Sequence, residues 1–448
     1  MKKYSAMALC FVWLGAASCK KFLEEKSDKK LTTVSSLQDM QAILDNNYVL
    51  NNGSGLALTG SDEYYLTSAN WNALTAQADK DSYTWQDNPQ LDGEWNKLYS
   101  IVFHANTVLD NLPKFETPKD GPLWKSLKGS ALFFRAHAFY HIAQVFAVQY
   151  DEATASTDWG IPLRLSSDFH QASVRASVQQ TYNQIAEDLQ TALPLLPVVP
   201  KNKLRPSRSA VFGLLARTFL VMGQYEKAKI MADSCLLNNN TLIDFNTVNA
   251  SAAMPLGAFN AEVIFHSLAL FSNTVYTGMA NIDTLLYQSY AMDDLRKQVY
   301  FSGPAGGPWS FKGTYYSDPF YYFNGIAVDE IYLIRAEAQA RLGQTSGAMK
   351  DLNTLLEKRW KQGQFIPLTA ADPASALNLI LDERRKELVL RGNRWSDLKR
   401  LNKEPGREKL LKRIVNNQTY LLPPNDSRYA FLIPQRVITS SGMPQNPR

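Results

Sequence analysis

Residues 214–228 read LLARTFLVMGQYEKA, and residues 334–348 read IRAEAQARLGQTSGA. Both stretches place an alanine, a glycine and a second alanine at successive steps of seven and five residues. These positions are Ala216, Gly223 and Ala228 in the first stretch and Ala336, Gly343 and Ala348 in the second. Small residues let two helices approach closely, and glycine readily takes the left-handed conformation that ends a helix. Each stretch is therefore predicted to form two helices joined by a tight turn.

Helix pairs with this spacing are typical of tetratricopeptide-like repeats, in which consecutive pairs stack into a scaffold. The two copies lie 120 residues apart, so we predict helical hairpins interrupted by a long insertion rather than a continuous solenoid. Amphipathic periodicity predicts four long helices up to the first turn glycine. One begins at Asp92 and ends before Pro113, and the others span residues 123–146, 181–195 and 208–222. The predicted fold class is mostly α, with long irregular loop insertions that are expected to form the ligand-binding surface.

The composition is that of a chain with an ordinary hydrophobic core. The sequence has 448 residues, of which 45% are hydrophobic and 20% are charged, and these values exclude intrinsic disorder. Lys and Arg number 47 against 42 Asp and Glu, without the basic run that grips a phosphate backbone, so we expect no nucleic-acid partner. The only cysteines are Cys10, Cys19 and Cys235, which is too few for a disulfide framework.

The first residues have the pattern of a secretory leader. Two lysines precede a short apolar stretch, and residues 16–18 are Ala-Ala-Ser, directly before Cys19. This arrangement resembles a bacterial lipobox, in which the cysteine becomes the lipidated first residue. We therefore predict a lipoprotein signal peptide at residues 1–18, lipidation at Cys19 and a mature chain of residues 19–448. The alternative is ordinary signal-peptidase cleavage near Ser18. No later segment has about 18 consecutive apolar residues, the length that a membrane-spanning helix needs.

Motifs for catalysis, cofactors or metal binding are not evident. His137 and His141 have the i, i+4 spacing of a zinc helix, but the glutamate that a metalloprotease needs is missing between them. Adjacent carboxylates such as Asp62 and Glu63 give no sign that they flank a glycosidic bond. We therefore predict a protein that is not an enzyme and has no cofactor and no metal ion.

Two segments stand out as candidate ligand loops. Residues 47–94 and 238–326 are rich in Asn, Gly, Ser, Thr and aromatics and are predicted to lack helical order, and long loops of this kind are usually functional. Residues 271–323 contain 14 aromatic side chains in 53 positions. A flat ring can stack on the apolar face of a sugar while its polar atom bonds a hydroxyl. The predicted ligand-binding residues are Tyr64, Tyr65, Asn70, Trp71, Asn72, Trp85, Trp309, Tyr315 and Tyr316.

Several further motifs, in the same order along the chain, resemble the SusD/RagB family of nutrient-binding outer-membrane lipoproteins. The motifs that carry the resemblance are Trp95-x-x-Leu98-Tyr99-x-x-Val102-x-x-x-Asn106-x-x-Leu109, Gly129-x-Ala131-x-Phe133-x-Arg135-Ala136, Asp294-Leu295-Arg296, residues 329–338, 384–388 and 392–400, and Ile433-Pro434-Gln435 with Gln445-Asn446-Pro447. The resemblance covers residues 19–448 and implies a single SusD-like domain. Its N-terminal half is residues 19–205, and its C-terminal RagB/SusD half is residues 206–448.

The resemblance also implies a function. Such a protein faces outward from the outer membrane on a lipid anchor, binds an oligosaccharide without cleaving it, and passes it to a SusC-like TonB-dependent barrel. The alternatives are a peptide-binding member of the same family, a lipoprotein glycoside hydrolase, and a tetratricopeptide scaffold without a small ligand.

Some of the motif residues are predicted to maintain the fold. Arg384 shares a helix face with apolar residues, so it needs a buried partner, and Asp397 or Glu387 is expected to supply it. Removing the Arg384 side chain is expected to cost roughly 3–5 kcal/mol. Asn106 is likewise expected to be hydrogen-bonded inside the protein. A further expectation is that residues 321–323 pack beneath the following helix.

Overall fold

The structure is a computed structural model that describes residues 34–88, 90–115 and 121–448. The predicted leader and Cys19 lie outside the described residues. Within them, no helix has the length and apolar character that crossing a bilayer requires.

Helices dominate the described part of the chain, and the strands are short and paired two by two. The helices are α1 (Leu37–Leu44), α2 (Asn47–Leu50), α3 (Leu56–Thr59), α4 (Ser68–Ala73), α5 (Gln77–Tyr83), α6 (Asp92–Asn111), α7 (Pro122–Phe146), α8 (Val178–Ala192), α9 (Arg208–Val221), α10 (Tyr225–Asn238), α11 (Thr284–Gln288), α12 (Arg296–Tyr300), α13 (Val328–Arg341), α14 (Thr345–Glu357), α15 (Pro373–Glu387), α16 (Asn393–Leu401) and α17 (Gln435–Ser441). The strands are β1 (Asn52–Gly53), β2 (Tyr64–Tyr65), β3 (Trp159–Pro162), β4 (Arg175–Ser177), β5 (Val263–Phe265), β6 (Leu268–Ala269), β7 (Asn281–Ile282), β8 (Phe301–Ser302), β9 (Ser310–Phe311), β10 (Ile326–Ala327), β11 (Leu411–Val415) and β12 (Gln418–Leu422). The mostly α fold class is confirmed.

Both predicted hairpins are present. Helices α9 and α10 form the first and α13 and α14 the second, and each turn contains a glycine with positive φ, 71° at Gly223 and 76° at Gly343. Helices α8, α9 and α15 begin at a polar side-chain cap, and Ser177 at the start of α8 forms a capping box with Gln180. Asp372 is the N-cap of α15, and its side chain accepts a hydrogen bond from the Ser375 amide.

The two hairpins are neighbours in space although a long insertion separates them in sequence. Helix α10 packs along α13, and the pairs α6–α7, α7–α8, α8–α9 and α13–α15 are also in contact. The insertion leaves the stack after α10 and returns at α13, so it interrupts the sequence but not the stacking. The predicted hairpins interrupted by a long insertion are confirmed, and the contact between α10 and α13 adds that the two hairpins are neighbours in space.

The loops have a core of their own. Buried side chains from residues 58–83 and 245–327, with Val389, Leu390 and Val415, form a second hydrophobic cluster beside the core beneath the stacked helices. Residues 47–94 and 238–326 were predicted to lack helical order, and this prediction was wrong for α2 to α5 in the first segment and for α11 and α12 in the second. Each of these helices is at most seven residues long, too short for a recognisable period. The division at residues 205 and 206 stays a prediction.

Buried ion pairs join the insertion to the helical stack. Arg296 is fully buried and bonds to Asp294 within the insertion and to Glu383 and Glu387 on α15. Arg359 pairs with the same Glu387 through its Nε, at 2.7 Å. Burial alone would raise the pKa of Glu387, but the two guanidinium groups outweigh it and hold the pKa below its ordinary value.

Two predictions about motif residues are confirmed. Arg384 is buried, and its Nε donates to the Asp397 carboxylate at 2.8 Å. The other proposed partner, Glu387, is used by Arg296 and Arg359 instead. Asn106 is also buried; its Nδ2 donates to the Arg164 and Ser166 carbonyls and its Oδ1 accepts from Arg135.

Candidate ligand-binding site

The structure brings the two predicted ligand loops together. Strand β2 pairs antiparallel with β7, so that Tyr64 faces Ile282 across the ladder. The Ile282 amide also donates to the Trp309 carbonyl at 2.7 Å, and Asn70 Nδ2 donates to the Met279 carbonyl at 2.7 Å. Side chains from both loops can therefore contribute to one surface.

Three of the predicted ligand residues belong to the protein interior instead. Tyr64 is 3% exposed and its hydroxyl is hydrogen-bonded to the Thr59 carbonyl and Thr274. Trp85 is 2% exposed and donates from Nε1 to the Gly60 carbonyl at 3.0 Å.

The third residue, Tyr315, is fully buried, and its hydroxyl donates to Glu262 and Asp329. Direct ligand contact was therefore the wrong expectation for Tyr64, Trp85 and Tyr315. The hydroxyl or indole N–H of each of these residues forms its hydrogen bonds with the protein itself and not with a ligand.

The remaining predicted residues are partly or largely exposed, but their side chains differ in how far neighbouring residues cover them. The Trp309 indole stacks on Tyr287 with ring centroids 4.0 Å apart and an angle of 10° between the planes. The glycine backbone at positions 303 and 307 lies so close that an added Cβ would approach the indole to 3.1 Å. Much of the Trp309 ring is thus covered by its own loop.

The other exposed candidates are held by neighbours from distant parts of the chain. Trp71 is half-buried, with the Lys80 ammonium 5.1 Å from its ring centroid. The exposed Asn72 amide exchanges hydrogen bonds with Asn416, and Tyr65 is 37% exposed at the edge of β2.

A row of five aromatic rings, three of them exposed and two partly exposed, lies in the mid-chain insertion. We call it the aromatic ridge and define it as Phe271, Tyr276, Tyr316, Phe320 and Tyr321. The ring centroid of Phe271 lies 5.8 Å from that of Tyr276 and 6.0 Å from that of Tyr321. Tyr276 in turn contacts Phe320, and Tyr321 contacts Tyr316. Phe271 and Phe320 are each 46% exposed.

Tyr321 was expected to pack beneath the following helix, and its 37% exposure shows that this was wrong. Its neighbours Tyr322 and Phe323 are buried in the loop core. Contiguous exposed rings are uncommon on a protein surface unless they serve an interaction.

An open cleft of about 300 Å³ adjoins the ridge at Phe271. Its walls come from α3, α5, the first turns of α6 and the segment after β6. The lining residues are Gly55, Leu56, Thr59, Ala78, Asp79, Ser82, Gln90, Leu91, Gly93, Glu94, Lys97, Leu270, Phe271 and Ser272. A cleft of this size with one aromatic wall and several polar groups has the general form of a small-ligand site.

The segment that presents Phe271 is fixed on both sides of the ring. The Leu270 amide donates to the Gly53 carbonyl at 2.9 Å, and Asn273 Nδ2 donates to Asp79 at 2.8 Å. Ser272 Oγ lies 2.8 Å from Thr59 Oγ1 and 2.9 Å from Thr274 Oγ1, which in turn contacts the Tyr64 hydroxyl. The buried Tyr64 therefore supports the cleft through a chain of hydroxyl groups.

Glu94 gives the cleft its most unusual electrostatic feature. Its carboxylate accepts from Ser54 Oγ at 2.5 Å and from the Gly55 and Leu56 amides at 3.4 Å, at the start of α3. Burial outweighs these hydrogen bonds and raises the pKa of Glu94 to about 7. Burial also raises the pKa of Asp79, against the opposing effect of the Asn273 hydrogen bond.

The two histidines with metal-ligand spacing face each other in the interior. The Nε2 atoms of His137 and His141 are 3.2 Å apart, and burial lowers the pKa of His137 to about 3. Within residues 34–88, 90–115 and 121–448, no group of three or more His, Cys, Asp or Glu side chains is placed to hold a metal ion.

Four ridge residues, Phe271, Tyr276, Phe320 and Tyr321, were not among the predicted contacts. The aromatic enrichment of residues 271–323 indicated the segment that contains them, but it does not distinguish exposed rings from buried ones. Which rings are exposed depends on the packing of the insertion against α3 and α5, and no local pattern encodes that packing.

Comparisons with known proteins agree with the fold described above. A family model described as "Starch-binding associating with outer membrane" matches residues 21–220, and a second one described as "SusD family" matches residues 328–447. A SusD-like protein P2 from Formosa agariphila is 23% identical over 427 residues, which cover 81% of each chain.

Solved structures show the same architecture. A SusD superfamily protein from Bacteroides thetaiotaomicron aligns with a TM-score of 0.75 at 20% identity and covers 92% of this chain and all of its own. A SusD-like carbohydrate-binding protein from Bacteroides vulgatus aligns with a TM-score of 0.69 at 20% identity, covering 91% and 97%. A laminarin-binding SusD-like protein aligns with a TM-score of 0.66 at 17% identity, covering 92% and 99%. With both family models matched in chain order and the fold shared almost throughout, the chain belongs to the SusD/RagB family.

Proposed function

We propose that this protein binds an oligosaccharide at the cell surface without cleaving it and delivers it to a TonB-dependent outer-membrane barrel. The observation that carries the proposal is the aromatic ridge beside an open polar cleft. Carbohydrate-binding and laminarin-binding relatives with the same fold support glycans as the ligand class. Phe271 belongs to both ridge and cleft, so a sugar stacked on its ring would have the cleft's hydroxyl and carboxylate groups within reach.

Replacing Phe271 by alanine is expected to weaken glycan binding by about 1–3 kcal/mol, the usual cost of truncating an aromatic anchor. The ring is 46% exposed, so its loss should leave the stability of the protein nearly unchanged. A glycan array would identify a ligand, and isothermal titration calorimetry would compare the two proteins.

Phe103→Ala is the matched control for this measurement. Phe103 is 49% exposed on α6 and does not line the cleft, so its removal should not change glycan affinity. Equal affinities of the parent and the Phe271→Ala variant for the same glycan would contradict the assignment of the site.

The predicted contacts Trp71 and Trp309 define an alternative site, on a surface outside the ridge and the cleft lining. If that surface is the site, alanine substitutions of Trp71 and Trp309 are expected to weaken glycan binding by about 1–3 kcal/mol. If the ridge is the site, these two variants should keep the parent affinity provided that the loop around Trp309 stays folded. Loss of binding in folded Trp71→Ala and Trp309→Ala variants, with Phe271→Ala unaffected, would move the site to that surface.

A glycoside hydrolase is the second candidate, because two carboxylates, Asp79 and Glu94, line one cleft and burial raises the pKa of both. The Glu94 oxygens, however, accept hydrogen bonds from Ser54 and the α3 amides, which occupies the atoms that a general acid must present to the glycosidic oxygen. Incubation with the bound glycan and measurement of new reducing ends would decide between the two. Cleavage by the parent protein that is lost in the Glu94→Gln variant would show that the protein is a glycoside hydrolase and not a binding protein.

Peptide binding is tested by the same calorimetry. Aromatic rings also accept apolar side chains, so a peptide library should be screened beside the glycan array. Selective binding of peptides with no glycan bound would favour the peptide-binding alternative. Failure of both classes to bind would favour the scaffold without a small ligand.

Cys19→Ala tests the lipid anchor. We expect the variant to move from the membrane fraction to the soluble fraction, because several acyl chains on one cysteine hold a protein durably on a bilayer. Cell fractionation with an immunoblot would measure this, and Cys235→Ser, which changes a buried thiol far along the chain, serves as control. A variant that stays membrane-bound would show that the anchor is elsewhere. Co-purification of the anchored protein with a TonB-dependent barrel would test the partner.

A further inference from the structure

The charges lining the cleft carry information about the ligand. Asp79 and Glu94 contribute two carboxylates, and Lys97 contributes one ammonium group from an exposed position on α6. The other polar side chains at the cleft are the neutral Thr59, Ser82, Gln90 and Ser272. The cleft thus offers many acceptors for hydroxyl groups and only one cation.

The acceptor capacity of Asp79 is not exhausted by the protein, whereas both Glu94 oxygens accept hydrogen bonds from Ser54 and the start of α3. The hydrogen bond that Asp79 accepts from Asn273 goes to Oδ2, and among the described residues none is recorded to its Oδ1. A sugar hydroxyl donating to an ionised carboxylate forms a charge-assisted hydrogen bond, which is stronger than one between neutral groups. Ser272 also lines the cleft, and its hydroxyl lies 2.8 Å from the hydroxyl of the buried Thr59.

We propose, on the basis of the glycan binding argued above, that the cleft beside Phe271 selects neutral oligosaccharides and rejects glycans that carry uronate or sulfate groups. An anionic substituent placed in the cleft would face two carboxylates. Repulsion between the anionic substituent and the carboxylates is expected to lower the affinity about tenfold. Lys97 does not offset it, because an ion pair with an exposed lysine is weak and screened by salt.

The test compares one glycan with its own charged derivative. Neutral hexasaccharides derived from β-1,3-glucan, starch and xylan are screened first by calorimetry. The tightest ligand with a primary alcohol is then oxidised at C6, which converts its hydroxymethyl groups to carboxylates. At about pH 8 we expect the neutral ligand to bind at least tenfold more tightly than the oxidised one.

Variants of the chain assign this preference to the cleft. The Asp79→Asn/Glu94→Gln double variant is expected to bring the two affinities within about threefold of each other. Asp79→Asn alone should narrow the difference in part, which keeps the test informative if Glu94→Gln loosens α3. Asp87→Asn, a carboxylate outside the cleft lining, is the control and should preserve the full preference.

Failure of this inference can be told apart from failure of glycan binding. If the oxidised ligand binds as tightly as the neutral one, or if Lys97→Ala selectively weakens the oxidised ligand, neutral selectivity is wrong and glycan binding stands. If the preference survives unchanged in the double variant, the two carboxylates do not create it and the inference is likewise wrong. If no hexasaccharide binds at millimolar concentration, the proposed function fails and the inference falls with it.

Discussion

Arg296→Met is expected to lower the free energy of unfolding by about 3–5 kcal/mol, the usual cost of removing one partner from a buried ion pair. Methionine fills much of the volume of the arginine stem but leaves buried carboxylates without their guanidinium. Asp294 loses the most, because Arg359 still bonds to Glu387 and Lys386 still pairs with Glu383. Urea unfolding followed by fluorescence and circular dichroism would measure the change and check for a single transition.

The pH dependence identifies the cause of this loss. A buried carboxylate without a partner has a higher pKa in the folded state than in the unfolded state. It therefore destabilises the folded variant when it is ionised, and this destabilisation decreases as the pH falls and the carboxylate becomes protonated. The difference in unfolding free energy between the parent and the variant should therefore narrow as the pH falls from neutral towards about 4, the ordinary carboxylate pKa value. Arg205→Met removes a guanidinium from the more exposed Asp45 pair and should cost at most about 1 kcal/mol. Similar costs for the two variants would show that the buried network adds little.

Asp397→Ala is expected to cost about 3–5 kcal/mol, and more than Arg384→Ala. Asp397 binds two guanidinium groups, the Nε atoms of Arg384 at 2.8 Å and Arg400 at 2.9 Å. Arg400 keeps Glu337 when Asp397 is removed. Arg384 keeps no hydrogen-bonded carboxylate among the described residues, and its Nη1 is already buried without a partner.

The reverse substitution is milder, which revises the value expected from the sequence alone. In Arg384→Ala the Asp397 carboxylate still accepts from Arg400, so about 2–3 kcal/mol is expected, below the earlier estimate of roughly 3–5 kcal/mol. The double variant should cost less than the sum of the two single variants, because it leaves neither charge unpaired. Strict additivity, or a larger cost for Arg384→Ala than for Asp397→Ala, would contradict the assigned pairing.

The scaffold could be predicted because its signals are local. The glycines at 223 and 343, the cap at Asp372 and the apolar periods of the long helices each fix a structure within a few residues. The burial of Arg384 and Asn106 followed from the same helical phase. These predictions hold because a long amphipathic helix can be oriented from its sequence alone.

The candidate site could be predicted only in outline. The aromatic enrichment of residues 271–323 indicated which segment carries exposed rings, but Tyr315 is buried while Tyr321, six residues later, is exposed. The difference is set by Glu262 and Asp329, which bond to the Tyr315 hydroxyl from distant parts of the chain. Glu94 was likewise invisible as a cleft residue, because its partners at Ser54 to Leu56 meet it only after folding.

The packing of α10 along α13 has a consequence for how large the insertion between these two helices can be. The insertion between them, roughly 90 residues long, leaves and re-enters the scaffold at two helices that already touch. Closing a loop costs entropy that grows only with the logarithm of its length, so doubling the insertion would add about 0.6 kcal/mol. Insertions of quite different size can thus be held by one scaffold, provided that each keeps the Asp294 and Arg296 pair that joins it to α15.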